Sequence, residues 1–200
     1  PYRLDGEWQD MEVSTATIKV KLLGPLQWHA KRDVKHSEHG PVLETEHGVY
    51  AVRYAGMGET RQLQQYHALN KAQTFDTWMD AMRLLALPSI NYIYADREGN
   101  IAYIYNAQIP KRIDGWDWQK YLPGDRSELI WTDYHAFDDL PQVINPPSGF
   151  VIDANNTPFE ATAKSDDLKP EDFPASMGIE TQMTNRAYRA LELLRPDNAI

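Results

Sequence analysis

The chain has 200 residues, 20 basic and 29 acidic, for a net charge of −9 and a pI near 5.1. Its apolar content, with six Trp, eleven Tyr and five Phe, is enough for a core, yet no window of eighteen consecutive apolar residues exists to span a membrane. Basic residues are scattered rather than striped, which argues against a nucleic-acid partner, and the lack of cysteine excludes disulfides, a thiol nucleophile and a Cys-type zinc site.

There is no signal peptide and no initiator Met, so the expectation is a single segment, 1–200, of something larger. Thr15 to Leu23 alternates as a strand and ends at Gly24-Pro25; Gln27 to Val34 is expected to pair back on it. Next, His36, His39 and His47 lie close to Glu38, Glu44 and Glu46. A metal site is one reading, but no His-to-His helical spacing is present, and a polar loop and hairpin is favoured.

Val49 to Tyr54 reads as a strand and Arg61 to Asn70 as a helix. The clearest helix follows Thr74, a cap residue. Asp76 lies in its first turn, and Phe75, Trp78, Met79, Met82 and Leu85 form one face of core packing, with Pro88 as the expected stop. The stretch INYIYADREGNIAYIY, Ile90 to Tyr105, reads as two aromatic strands about a turn, where Gly99 and Asn100 suit a positive φ, and Pro110 ends the second strand. Residues 111–141 read as loop, pinned by burial of Trp116, Trp118 and Trp131.

In NPPSGFVIDANNT, Asn145 to Thr157, the run Phe150 to Ile152 reads as a short buried strand delivering Asn155 and Asn156 to its end. Those amides either satisfy a tight turn or donate hydrogen bonds into a site without carrying charge. Residues 164–172 are charged and expected to be exposed, and Thr184 caps a last helix carrying Arg186, Arg189, Leu191 and Leu194. The class is α+β: antiparallel hairpins with a few helices. No phosphate-binding glycine loop or Gly-x-Ser-x-Gly elbow is present.

Four stretches carry a resemblance: INYIYADREGNIAYIYNAQIPKR, NPPSGFVIDANNTP, HGPV at His39 to Val42, and NRAYRALELL at Asn185 to Leu194. In this order and spacing the chain resembles the penicillin acylases and their relatives, including acyl-homoserine lactone acylases, from about Thr15 onward. The resemblance implies an αββα N-terminal-nucleophile hydrolase, of which this chain is an internal segment of the β-subunit. Such enzymes are made as self-cleaving precursors. The new β-subunit begins with a nucleophilic Ser whose own amino group is the base; that Ser is not expected within this chain, so the segment alone is expected to be inactive.

The resemblance also implies site residues. Asn155 falls on the oxyanion-hole asparagine and Arg186 on an arginine that orders the catalytic network. Tyr66, in place of a Trp, and Ile90 fall on positions lining the acyl pocket, for which core packing is the competing reading. The implied substrates are small N-acyl amides, among them penicillins and the acyl-homoserine lactone signals of bacteria. The implied partners are the α-subunit and the rest of the β-subunit, and the implied location is periplasmic or secreted. No metal residue is assigned and no cofactor is expected in this segment; calcium belongs, if anywhere, to the whole enzyme. The rival reading is a non-catalytic binding or scaffold domain that keeps the fold.

Overall fold

The computed structural model describes residues 1–194. These form two compact units, one of residues 1–54 with 115–131, the other of residues 55–114 with those from Thr132 onward.

The first unit is built of β-structure. Strands β1 (Tyr2–Leu4) and β2 (Glu7–Gln9) form a hairpin. Its turn residues Asp5 and Gly6 both have positive φ, as an Asp-Gly hairpin turn requires. A four-stranded antiparallel sheet follows in sequence order: β3 (Glu12–Leu23), β4 (Leu26–Ser37), β5 (Gly40–Thr45) and β6 (Gly48–Ala51). The first two strands are longer than expected. Their register places Ile18, Val20, Trp28 and Ala30 on one face and Lys19, Lys21, His29 and Lys31 on the other. Strand β6 is shorter than the expected Val49 to Tyr54, because Arg53 turns away to hold a loop. Its Nη2 donates to the Trp131 carbonyl at 2.7 Å, and the guanidinium lies 4.7 Å from the Trp131 ring centroid.

That loop, residues 115–131, was expected to be pinned by burial of its tryptophans. Trp116, Trp118 and Trp131 are instead only half-buried. The anchors are polar: the Asp5 amide donates to Asp125 O at 2.8 Å, and the Ser127 amide donates to the Asp5 carboxylate at 3.0 Å. Hydrogen bonds from Ser127, its side chain first and then its amide, hold the Asp5 carboxyl below its ordinary range. Leu129 is the buried apolar anchor.

The second unit packs α1 (Gln62–Lys71) and α2 (Phe75–Met82) on a three-stranded antiparallel sheet of order β7 (Ser89–Ala95), β8 (Ile101–Ala107) and β9 (Gln142–Ile144). Helix α2 starts as the sequence indicates: Thr74 Oγ1 accepts the Thr77 amide, and the Thr77 hydroxyl reaches back to the Thr74 amide. It buries Trp78, Met79 and Met82 against Ala102 and Ile104 of β8.

Its end differs from expectation. The helix stops at Met82, six residues before Pro88, and Leu85 takes the left-handed region at φ 43°. The reason is tertiary. Gln65, fully buried on α1, accepts the Ala86 amide at 2.7 Å, and Gln108 Nε2 donates to the Leu85 carbonyl at 2.6 Å. These side chains capture backbone groups that a longer helix would use.

The β7–β8 hairpin forms as expected. Gly99 has φ 91°, but Asn100 does not need positive φ. Asp96 organises the turn instead, accepting the Glu98 and Asn100 amides at 2.9 Å each and Asn100 Nδ2 at 2.8 Å. These bonds, the Asn100 side chain foremost, hold its carboxyl below the usual range. Strand β8 ends at Ala107 rather than at Pro110, which makes an isolated bridge to Tyr134. Strand β9 was not foreseen: it has three residues between prolines, too few to show a period. Helix α3 (Asn185–Leu194) starts at Thr184, whose hydroxyl accepts the Ala187 amide.

Candidate active site

The segment from Asn145 to Thr157 is anchored at its start. Asn145, at φ 48°, exchanges bonds with β8: its Oδ1 accepts the Ile101 amide at 2.8 Å and its own amide donates to Ile101 O at 2.9 Å. Gly149, at φ 76°, completes the corner. No strand forms over Phe150–Ile152. The chain runs extended there, with the Ile152 amide donating to Ala161 O at 2.8 Å and Thr162 Oγ1 donating to Phe150 O at 2.7 Å. Within the segment 164–172, expected to be exposed, Asp166 turns inward to accept the Ser148 amide at 2.8 Å.

The two asparagines that follow have different surroundings. Asn156 is buried and internally satisfied. Its Oδ1 accepts the Ala154 amide at 2.8 Å, and its Nδ2 donates to Thr157 O at 2.9 Å and Glu160 O at 3.1 Å. Its own carbonyl accepts from the buried Tyr103 hydroxyl at 3.3 Å. Asn155 is exposed, in the left-handed region at φ 58°, with its amide donating to Asp153 Oδ1 at 2.9 Å. Asn91 of β7 donates to the same Asp153 oxygen at 3.0 Å.

Arg186 on α3 meets Asn155. Its Nη2 donates to Asn155 Oδ1 at 3.1 Å and to Ala154 O at 3.2 Å, and Thr184 Oγ1 donates to the same carbonyl at 3.4 Å. A guanidinium has no acceptor, so it selects the amide oxygen as its neighbour. The Asn155 Nδ2 is thereby turned away from Arg186, and among the described residues it donates to no protein group. An uncharged donor held by a charge-assisted bond, with its N–H groups free, has the chemistry of an oxyanion-stabilising group. The structure therefore brings Asn155 and Arg186 together. It also adds Asp153 and Asn91 as supports that residue reading had missed; the signal for Asn91 was a polar residue within the aromatic strand INYIYA.

Tyr66 and Ile90 lie elsewhere. Alternation along β7 puts Asn91 on the side of residues 153–156 and puts Ile90 and Tyr92 on the opposite face, where Tyr92 meets Trp78 of α2 edge-on at 6.2 Å. Tyr66 on α1 is 42% exposed, as is Ile90, so neither is a core residue. Tyr66 is a near neighbour of Tyr92. Burial first, and then Tyr66, push the Tyr92 phenol up to about 12. Among the described residues no hydrogen bond joins Tyr66 or Ile90 to Asn155 or Arg186. Ile90 and Asn91 thus point to opposite faces of the sheet at β7, which among the described residues pairs with β8 alone.

The His and Glu cluster disperses. Glu44 pairs with Lys35 at 2.6 Å, Glu46 lies 3.2 Å from His47, and His39 is buried. Among the described residues no group of three His, Cys, Asp or Glu could hold a metal ion.

The family model for penicillin amidase matches residues 1–199. The chain belongs to the penicillin amidase family. Within it, the chain is 31% identical over 179 residues to penicillin G acylase of Escherichia coli, a match covering 88% of this chain and 19% of that protein. It is 28% identical over 168 residues to penicillin acylase 2 proenzyme of Pseudomonas sp. strain SE83, covering 81% and 20%. It is 25% identical over 166 residues to acyl-homoserine lactone acylase QuiP of Pseudomonas fluorescens, covering 77% and 19%. The solved thermostable penicillin G acylase of Alcaligenes faecalis superposes with a TM-score of 0.66 at 25% identity, over 84% of this chain and 31% of that one. The penicillin amidase segment described here thus spans about a fifth of the length of the curated relatives it matches.

Proposed function

We propose that this chain is part of the β-subunit of an N-acyl amide hydrolase and that it supplies the oxyanion-hole amide. The observation that carries the reading is the Asn155 side chain, fixed through its oxygen by Arg186 and left with free N–H groups. In the complete protein, a Ser outside this chain attacks the acyl carbonyl. As the carbonyl oxygen gains charge, Asn155 Nδ2 donates to it. The tetrahedral intermediate collapses, the amine leaves, and water hydrolyses the acyl-enzyme.

Arg186 touches Asn155 rather than the reacting carbonyl, so it is a positioning residue. Tyr66 and Ile90 form part of the acyl wall; their half-exposed side chains leave apolar surface for an acyl group. Because amide and wall lie on opposite faces of the sheet, the substrate lies across the open edge of β7. Penicillins and acyl-homoserine lactones are the substrate classes named for its relatives. A periplasmic or secreted location, and assembly with an α-subunit and the rest of the β-subunit, complete the proposal.

The test is to express the complete coding sequence and analyse the mature subunits. A new β-subunit N-terminus beginning with Ser, together with hydrolysis of a phenylacetyl amide or an acyl-homoserine lactone, is the expected result. A protein that is never cleaved before a Ser, and that hydrolyses neither, would overturn it.

A further inference from the structure

The Asn155 amide stands on a segment with no ladder of its own: residues 153–157 belong to no helix or strand. A donor works only when held within about 0.5 Å of its productive place, and a loop gives that precision only with outside supports. Two side chains of the sheet tie this segment down. Asn91 Nδ2 on β7 donates to Asp153 Oδ1 at 3.0 Å and to the Asn156 carbonyl at 3.4 Å. Tyr103 on β8, fully buried and on the same face as Asn91, donates to that carbonyl at 3.3 Å. Burial first, and then the Asp153 carboxylate, push the Tyr103 phenol above its ordinary range, so it stays a donor. Asp153 carries the tie onward. Its Oδ1 also accepts the Asn155 main-chain amide at 2.9 Å, closing a turn in which Asn155 takes φ 58°. Asn155 is thus held at two points. Asp153 fixes where its backbone stands, and Arg186 fixes how its side chain is turned.

From this geometry we infer that Asp153 and Asn91 are positioning residues of the proposed hydrolysis: together they set where the Asn155 donor stands against the reacting carbonyl, and they act on kcat. The inference rests on the reading of Asn155 as the oxyanion amide. What Asp153 contributes is an acceptor atom rather than a charge. Both of its bonds converge on Oδ1, and its carboxylate makes no ion pair among the described residues. An amide oxygen is an equivalent acceptor, so asparagine can do the work of Asp153 and alanine cannot. Asn91 contributes its N–H group, which joins the turn to a strand that the turn itself does not belong to.

The test uses the complete protein and follows kcat and KM for a phenylacetyl amide and an acyl-homoserine lactone. Asp153→Ala and Asn91→Ala are each expected to lower kcat about tenfold or more and to leave KM within about twofold, because a misplaced donor weakens the transition state rather than substrate binding. Asp153→Asn is expected to stay within about threefold of wild type in kcat. Added to Asn155→Gly, Asp153→Ala is expected to lower kcat no further, since the amide it positions is already gone. An unchanged kcat in Asp153→Ala, with Asn155→Gly still impaired, would overturn the inference and leave the oxyanion reading standing. So would a further tenfold fall in the Asn155→Gly background, which marks a role that does not pass through the amide. A processed Asn155→Gly protein with unchanged kcat, or a wild type that hydrolyses neither substrate, would overturn that reading and the inference with it. Thermal melting checks folding, and if Asp153→Ala does not fold, Asn91→Ala takes its place in every comparison.

Discussion

Asn155 and Asn156 are adjacent and chemically identical, yet the chain uses them differently. Asn156 spends its whole side chain on backbone groups of residues 154–160 and is buried. Its loss strands the Ala154 amide and two carbonyls, so Asn156→Ala is expected to cost about 2–3 kcal/mol, read as a lower urea midpoint. Asn155 contributes little burial and sits at φ 58°, a conformation that asparagine and glycine tolerate and that other residues adopt at a cost. Glycine is therefore the substitution that removes its amide without straining the backbone. Arg186 differs again: it carries its charge to an exposed position where the amide oxygen and a carbonyl receive it. The residues suggest two amides at the end of a strand; no strand forms at Phe150–Ile152, and the two amides part, Asn156 buried and Asn155 exposed. Which amide faces outward was not legible from the residues; the resemblance had marked Asn155, and the Arg186 contact supplies a physical reason for that choice.

At the scale of elements, His39 shows how a turn residue can fix a loop. It is buried just after β4, its Nε2 has no partner among the described residues, and it bonds to the backbone at Gly124 in the loop 115–131. Burial pushes its imidazole below the ordinary 6.5, against the pull of that bond; Arg53 adds to burial and the Glu38 carboxylate opposes it. Above 6.5 the residue is neutral whether folded or unfolded, and it costs nothing. As pH falls through that value the unfolded chain takes up the proton first, so stability declines until the lower folded value is reached. The urea midpoint is expected to drop between about pH 7.5 and about pH 5.5, and to drop less in His39→Gln. Equal losses in both proteins would remove His39 as the cause.

The same scale shows what was legible in the chain. Helix α2 and the β7–β8 hairpin announce themselves because their signals are local: a Thr cap, an aromatic stripe, a turn closed by Asp96 and Gly99. The end of α2 was misread because it is set by Gln65 and Gln108, which reach it from α1 and from beyond β8. The loop anchors were misread because Arg53 and Asp5, rather than the three tryptophans, hold residues 115–131. Strand β9 and the extended run at Phe150 have too few residues to carry a period; they are defined by partners distant in sequence, Ala102 to Ile104 for β9 and Ala161 and Thr162 for the run.

At the scale of the whole molecule, the chain spans about a fifth of the length of its curated relatives, and under the proposed function it contributes the Asn155 donor, the Arg186 that positions it and part of a pocket wall. These converge on the edge strand β7, whose outer side pairs with nothing among the described residues. An edge of unpaired amides and carbonyls is a template on which another strand can pair. The most direct measurement is the rate of acyl amide hydrolysis by the complete protein with Asn155→Gly in place. The expected result is a fall in kcat of about 10²–10³, with processing and thermal stability retained. A correctly processed variant with unchanged kcat would contradict it.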